Sequence, residues 1–145
     1  MPVRKKIRLN EYDYSQENMY FITICIKNRE EILGKIIENN INLTNEGKIV
    51  NQNINKLEEI YKNIIIDEYI LMPNHIHILL TINYKNGITI SKIIKHLKAN
   101  ISREIKYSIW QKSFYEHIIR NEKEYLKIKE YIQNNVINWR TDKYF

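Results

Sequence analysis

Residues 64 to 82 read "IIIDEYILMPNHIHILLTI", two apolar runs with only Pro73 and Asn74 between them. Proline cannot donate to a sheet ladder and restricts the residue before it, so the run breaks into two strands, "IIIDEYILM" and "HIHILLTI". So short a connection leaves them one way to pair, antiparallel. Along the second strand side chains alternate. His75, His77 and Leu79 share one face, while Ile76, Ile78 and Leu80 share the other. The aliphatic face requires helices over it; the imidazoles are left on the open face of the sheet.

Elements for that cover are present. "MYFITICIKN" is rich in β-branched and aromatic residues and reads as a strand with Tyr20, Ile22, Ile24 and Ile26 facing one way. "EILGKIIENNINLTN" reads as a short hairpin, because "ENN" separates two apolar runs. From Thr44 the period changes. Val50, Ile54, Leu57 and Tyr61 recur at helical spacing after an N-cap at Thr44 or Asn45, predicting one amphipathic helix. Ile90, Ile93, Ile94, Leu97, Ile101 and Ile105 mark a second helix, with Lys92, Lys95, Lys98, Arg103 and Lys106 on its other side. "SFYEHIIRN" reads as a further strand. "EKEYLKIKEYIQNNVINW" returns to helical spacing, with Tyr125, Ile128, Ile132, Val136 and Trp139 on one side.

The order strand, helix, strand, strand, helix, strand, helix satisfies a split βαβ arrangement. The expected fold is α+β and ferredoxin-like (RRM-like): a four-stranded antiparallel sheet with two helices on one face and the last helix on the other. With 145 residues, 43% of them hydrophobic, only three Gly and two Pro, and no linker-like stretch, the expectation is a single domain spanning 1–145. Cys25 is the only cysteine, which excludes a disulfide framework and a cysteine-based zinc site and suits a reducing compartment. "MPVRKKIRLN" is not followed by an apolar segment of signal-peptide length, and no stretch is long and apolar enough to span a bilayer. A cytoplasmic protein without a membrane is therefore expected. A net charge of +6 favours a polyanionic partner, or else reflects a Lys- and Asn-rich compositional bias.

Two neutral imidazoles two residues apart on one strand face can reach a single cation. Equally, both can be strand histidines satisfied by neighbouring carbonyls. Two ligands do not make a site, so a third donor and a reactive group must come from elsewhere. The last helix offers both. Tyr131 and Asn135, four residues apart beside the apolar arc, can present a phenol as nucleophile and a carboxamide oxygen as ligand. The alternative is that Tyr131, one of eleven tyrosines, simply packs.

The segments "YFITICIKNRE", "LGKI", "NLTNEGKIV", "DEYILMPNHIHILL", "SKIIKHLKANISREI" and "IWQKSFYEHIIRNEKEYLKIKEYIQNNV" together resemble the single-tyrosine transposases of the HUH class, particularly the REP-associated tyrosine transposases. The resemblance runs from about Tyr20 to Trp139. It implies a single-strand DNA transposase or endonuclease that cleaves and rejoins DNA through a 5′-phosphotyrosine. In those terms His75, His77 and Asn135 are metal ligands, and Tyr131 is the nucleophile. The implied cofactor is a divalent metal ion, Mg²⁺ or Mn²⁺, and the implied partner single-stranded or hairpin DNA, with a homodimer among the family's arrangements. Tyr115 lies on the preceding strand, and Tyr125 has Lys129 four residues on, so neither matches the nucleophile's position. Family members often read Asn-Pro where this chain has Asn135-Val136, and loss of that proline predicts a helix that runs on.

The DNA backbone is expected along Lys92, Lys95, Lys98 and Arg103 and along the arm Arg4, Lys5, Lys6 and Arg8, with His117 and Arg120 lining the same groove; for any one of these, a solvated or merely satisfied surface residue is the competing reading. Three rival functions remain at this level. One is a non-enzymatic nucleic-acid-binding module of RRM-like topology; another is an inactive transposase relic binding DNA hairpins; a third is a phosphodiesterase in which water attacks.

Overall fold

The computed structural model describes residues 19–84 and 86–139. Its main sheet has four strands: β1 (Met19–Cys25), β4 (Ile64–Met72), β5 (His75–Ile82) and β6 (Tyr115–Ile118). They lie in the order β4-β5-β1-β6, each neighbouring pair antiparallel. A single residue pair, Pro73 and Asn74, joins β4 to β5. Between β1 and β4 come a hairpin of β2 (Gly34–Ile37) and β3 (Asn40–Leu43), then the helices α1 (Asn45–Asn55) and α2 (Leu57–Ile60). Helix α3 (Ile90–Ile105) connects β5 to β6, and α4 (Glu122–Gln133) follows β6. This is the expected split βαβ, ferredoxin-like arrangement.

The hairpin turns where expected. Glu38 and Asn39 both have positive φ, 51° and 63°, as a two-residue turn matched to strand twist requires. Helix α1 starts at the predicted cap, Thr44 Oγ1 accepting from the Gly47 N–H at 3.0 Å. Gly47 is needed at that point: a Cβ there would sit 2.1 Å from the Leu33 carbonyl oxygen.

The predicted single helix through Tyr61 is interrupted at Lys56, which separates α1 from α2. Asn53 Nδ2 donates back to the Ile49 carbonyl at 2.9 Å and also to Glu104 Oε2 at 2.6 Å. Side-chain bonding to the preceding turn competes with the helical ladder, which is why a segment carrying Asn51, Asn53 and Asn55 does not continue straight.

The two faces of the sheet differ in kind. Ile22, Ile24, Ile76, Ile78 and Leu80 pack under α1 and α3 with Val50, Ile54, Ile93, Ile94, Leu97 and Ile101 in one aliphatic core. Burying each such side chain stabilises by about 1.5–3 kcal/mol relative to leaving it exposed. The opposite face holds a smaller cluster of Met19, Leu79, Ile119, Tyr125 and Ile132, with Phe21, Ile70, Ile128 and Tyr131 packed against it. Helix α4 supplies the cover there. Its N-terminus is capped by Asn121, whose Oδ1 accepts from the Glu124 N–H at 2.9 Å, and Glu122 and Glu124 complement the positive end.

Helix α4 does not run on past Asn135. It ends at Gln133, and the Asn135 N–H bonds to the Ile132 carbonyl at 3.2 Å, a three-residue rather than four-residue step. Asn134 and Asn135, whose side chains compete with the helical ladder, follow the last helical residue Gln133, and the chain tightens into turns without a proline to enforce it.

Candidate active site

Strand register assembles the site. His75 pairs with Cys25 and Met72, and His77 pairs with Thr23 and Ile70; directly opposed residues point to the same face, here the one beneath α4. The two imidazole centroids are 4.7 Å apart. Each ring is fixed through Nδ1. Asn74 Oδ1 lies 2.7 Å from His75 Nδ1, while the Asn74 amide nitrogen faces the Arg29 carbonyl at 3.5 Å. An amide oxygen can only accept, so His75 Nδ1 carries the proton and Nε2 keeps its lone pair. Thr23 Oγ1 lies 2.8 Å from His77 Nδ1. Phe21 stacks on the His77 ring at 5.1 Å.

Tyr131 arrives from α4. Its hydroxyl is 3.5 Å from His77 Nε2, and the two ring centroids are 5.3 Å apart. Four and eight residues later the same segment places Asn135 and Trp139, and the Trp139 indole stacks on His75 at 6.3 Å. Asn135 thus lies in the chain between two residues that each touch one histidine. Its side chain is 1% exposed, and neither Oδ1 nor Nδ2 has a hydrogen-bond partner among the described residues. A buried carboxamide unsatisfied at both ends calls for a missing partner, and an oxygen ligand to a cation is one.

These donors fit a divalent ion: two imidazoles each held through Nδ1 by a second bond, and one neutral oxygen. Among the described residues no three of His, Cys, Asp and Glu converge to hold a metal; a carboxamide oxygen such as that of Asn135 is a donor of another type. The histidines differ from expectation in one respect. Both are 0% exposed, so the site is not a shallow patch on an open sheet but lies beneath Phe21, Tyr131 and Trp139.

The basic residues are placed elsewhere. Lys92 and Lys95 are exposed on α3, which packs against the sheet face opposite the histidines. Lys98 is half-buried there and donates Nζ to the carbonyls of Gln111 (2.7 Å) and Lys112 (3.4 Å); burial pulls its pKa below the ordinary lysine value. Lys95, Lys98 and Lys112 line one groove beside Phe114. Arg103 is exposed and donates to Asn100 Oδ1 at 3.0 Å. His117 does share the histidine face; its Nε2 is 2.9 Å from Glu124 Oε1, which also accepts from the Arg120 N–H at 3.1 Å. Arg4, Lys5, Lys6 and Arg8 lie outside the described residues.

Sequence reading did not single out Thr23, Phe21 or the contact of Trp139 with His75. Thr23 and Phe21 become visible once β1 is placed next to β5, since their register partners are His77 and Leu79. No helix among the described residues is long and apolar enough to cross a membrane.

Residues 14–135 match the model of the IS200-like transposases. An uncharacterised protein of Haemophilus influenzae is 35% identical over 167 residues, covering 98% of this chain and 93% of the relative. The structure of a REP-associated tyrosine transposase bound to a REP hairpin superposes with a TM-score of 0.68 at 22% identity, over 93% of this chain and 74% of that one. A candidate transposase of Deinococcus radiodurans superposes with a TM-score of 0.51 at 19% identity, over 90% of this chain and 96% of the other. At those identities the two structures establish the shared fold.

Proposed function

The chain belongs to the IS200-like transposase family, and from that premise we propose that it cleaves and rejoins single-stranded or hairpin DNA through a phosphotyrosine at Tyr131. One observation carries the reading: the Tyr131 hydroxyl stands 3.5 Å from His77 Nε2 within the same chain, with the His75 ring 4.7 Å from that of His77. A phenol that merely packed would not need to meet the one pair of imidazoles on its sheet face.

In this mechanism His75, His77 and Asn135 would hold a divalent ion, Mg²⁺ or Mn²⁺, which would supply charge neutralisation. The chain's own part is placement. Asn74 fixes the His75 tautomer, Thr23 holds His77 through Nδ1, Phe21 and Trp139 restrict the rings, and α4 aims the phenol. Tyr131 Oη attacks phosphorus; the Tyr–O–P bond forms as the bond to the 3′ oxygen breaks, and the proton lost by the phenol is balanced by one gained at the 3′ oxygen. The product is a 5′-phosphotyrosine and a free 3′-hydroxyl. A second 3′-hydroxyl reverses the step and joins strands without a nucleotide cofactor. Tyr131 reaches His77 of its own chain, which supports a site assembled in cis.

The DNA is held by the exposed cations of α3 and by the groove of Lys95, Lys98 and Lys112. The relative that was solved with a REP hairpin supports hairpin DNA as the substrate class.

The test is to incubate the protein with labelled single-stranded and hairpin oligonucleotides and Mn²⁺, and to resolve the products on a denaturing gel. The expected result is a protein–DNA adduct that chelator and Tyr131→Phe both remove. Cleavage that survives Tyr131→Phe would make water the nucleophile, and binding without cleavage would favour a hairpin-binding relic.

A further inference from the structure

The row of side chains that contains His77 does not stop at the buried site. Register sets Ile70, His77, Thr23 and Tyr115 side by side across β4, β5, β1 and β6, all on the α4 face. The bond between Thr23 and His77 fixes that face directly. Along this row burial changes abruptly. His77 is 0% and Thr23 2% exposed, whereas Tyr115, one strand further, is 55% exposed. Helix α4 covers Ile70, Leu79 and Phe21 but leaves the β6 end of the row open. Glu116, between Tyr115 and His117, faces away toward Ile22. With strands about 4.8 Å apart, Tyr115 stands about 10 Å from His77, roughly the reach of one nucleotide from phosphate to base.

We propose that Tyr115 is the stacking platform for a base next to the scissile phosphate, and that the β6 edge is where single-stranded DNA enters the buried histidine site. The proposal rests on the reading of the chain as a single-strand DNA enzyme. An exposed phenol ring on an edge strand offers its π-face to any base without selecting one. Its neighbour His117 is held by Glu124 of α4, so the strand bearing the platform is tied to the helix bearing Tyr131. Tyr115 therefore binds DNA and positions it; the chemistry is at Tyr131.

The experiment uses the full chain and a fluorescein-labelled 20-nucleotide single strand carrying 5-iododeoxyuridine at successive positions, read by anisotropy and by photocrosslinking with peptide mapping. Tyr115→Ala should weaken binding about fivefold to a hundredfold, and Tyr115→Phe should bind as wild type because the ring is retained. The crosslink should map to Tyr115 in wild type and in Tyr131→Phe. Both Tyr115 variants should be folded at the binding temperature, read by circular dichroism. Unchanged affinity in Tyr115→Ala, with the crosslink on another peptide, overturns the inference even where the Tyr131 adduct still forms. A Tyr115 crosslink without any adduct keeps this inference and overturns the nucleophile reading. A wild-type protein that binds no single-stranded DNA overturns both.

Discussion

One sheet presents two faces that do opposite work. Beneath α1 and α3 every β5 side chain is aliphatic and touches other aliphatic side chains. Beneath α4 the same strand offers His75 and His77, set among Thr23, Asn74 and the rings of Phe21, Tyr131 and Trp139. Burial is nearly total on both, so burial alone does not distinguish core from site. What separates them is polarity that has been paid for by specific second bonds on one face and is absent from the other. The stability of the domain resides mainly in the first face, which leaves the second free to hold groups that a core would reject.

That division can be broken by substitution, and the largest effect belongs to the α4 face. Tyr131→Phe removes the hydroxyl proposed to attack and is expected to abolish adduct formation while DNA affinity stays within about threefold, since backbone contacts should supply most of it. His75→Ala should behave likewise, with loss of cutting and retained binding on gels. On the other face, Ile78→Ala should cost about 2–5 kcal/mol of stability in denaturant unfolding, through lost burial and a residual cavity. If Ile78→Ala were nearly silent in stability, the assignment of the two faces would be reversed.

Smaller changes sharpen the comparison. Thr23→Val keeps the shape but removes the hydroxyl that meets His77 Nδ1, and Mn²⁺ affinity measured by calorimetry should fall about 10- to 100-fold. Asn121→Ala deletes the α4 cap and should cost about 1 kcal/mol of stability; it bears on the site only through the seating of the helix.

The hairpin, the face alternation and the element order were legible because they follow from period and from Pro73 alone. Spacing alone allowed Tyr131 simply to pack, and it was the family resemblance that placed it with the strand imidazoles, where its hydroxyl lies 3.5 Å from His77 Nε2. Three features were not legible. A register shift lies between Ile66 and Glu68, and nothing local in "IIIDEYILM" marks it. The break at Lys56 follows Asn53, whose amide bonds back to the Ile49 carbonyl and is held there by Glu104, 51 residues away in the chain. The burial of the histidines depends on Phe21 and Trp139, whose positions follow from β1–β5 register and from the turns after Gln133. Each is set by a contact distant in sequence. The basic face of α3 was visible as a stripe, but a stripe does not say which side of the sheet it will occupy.

The most direct trial of the account is to digest the covalent protein–DNA product and locate the modified residue by mass spectrometry. The account predicts a nucleotide phosphate on Tyr131 alone. A phosphate carried by Tyr115, Tyr125 or any other tyrosine, with Tyr131 unmodified, would contradict it.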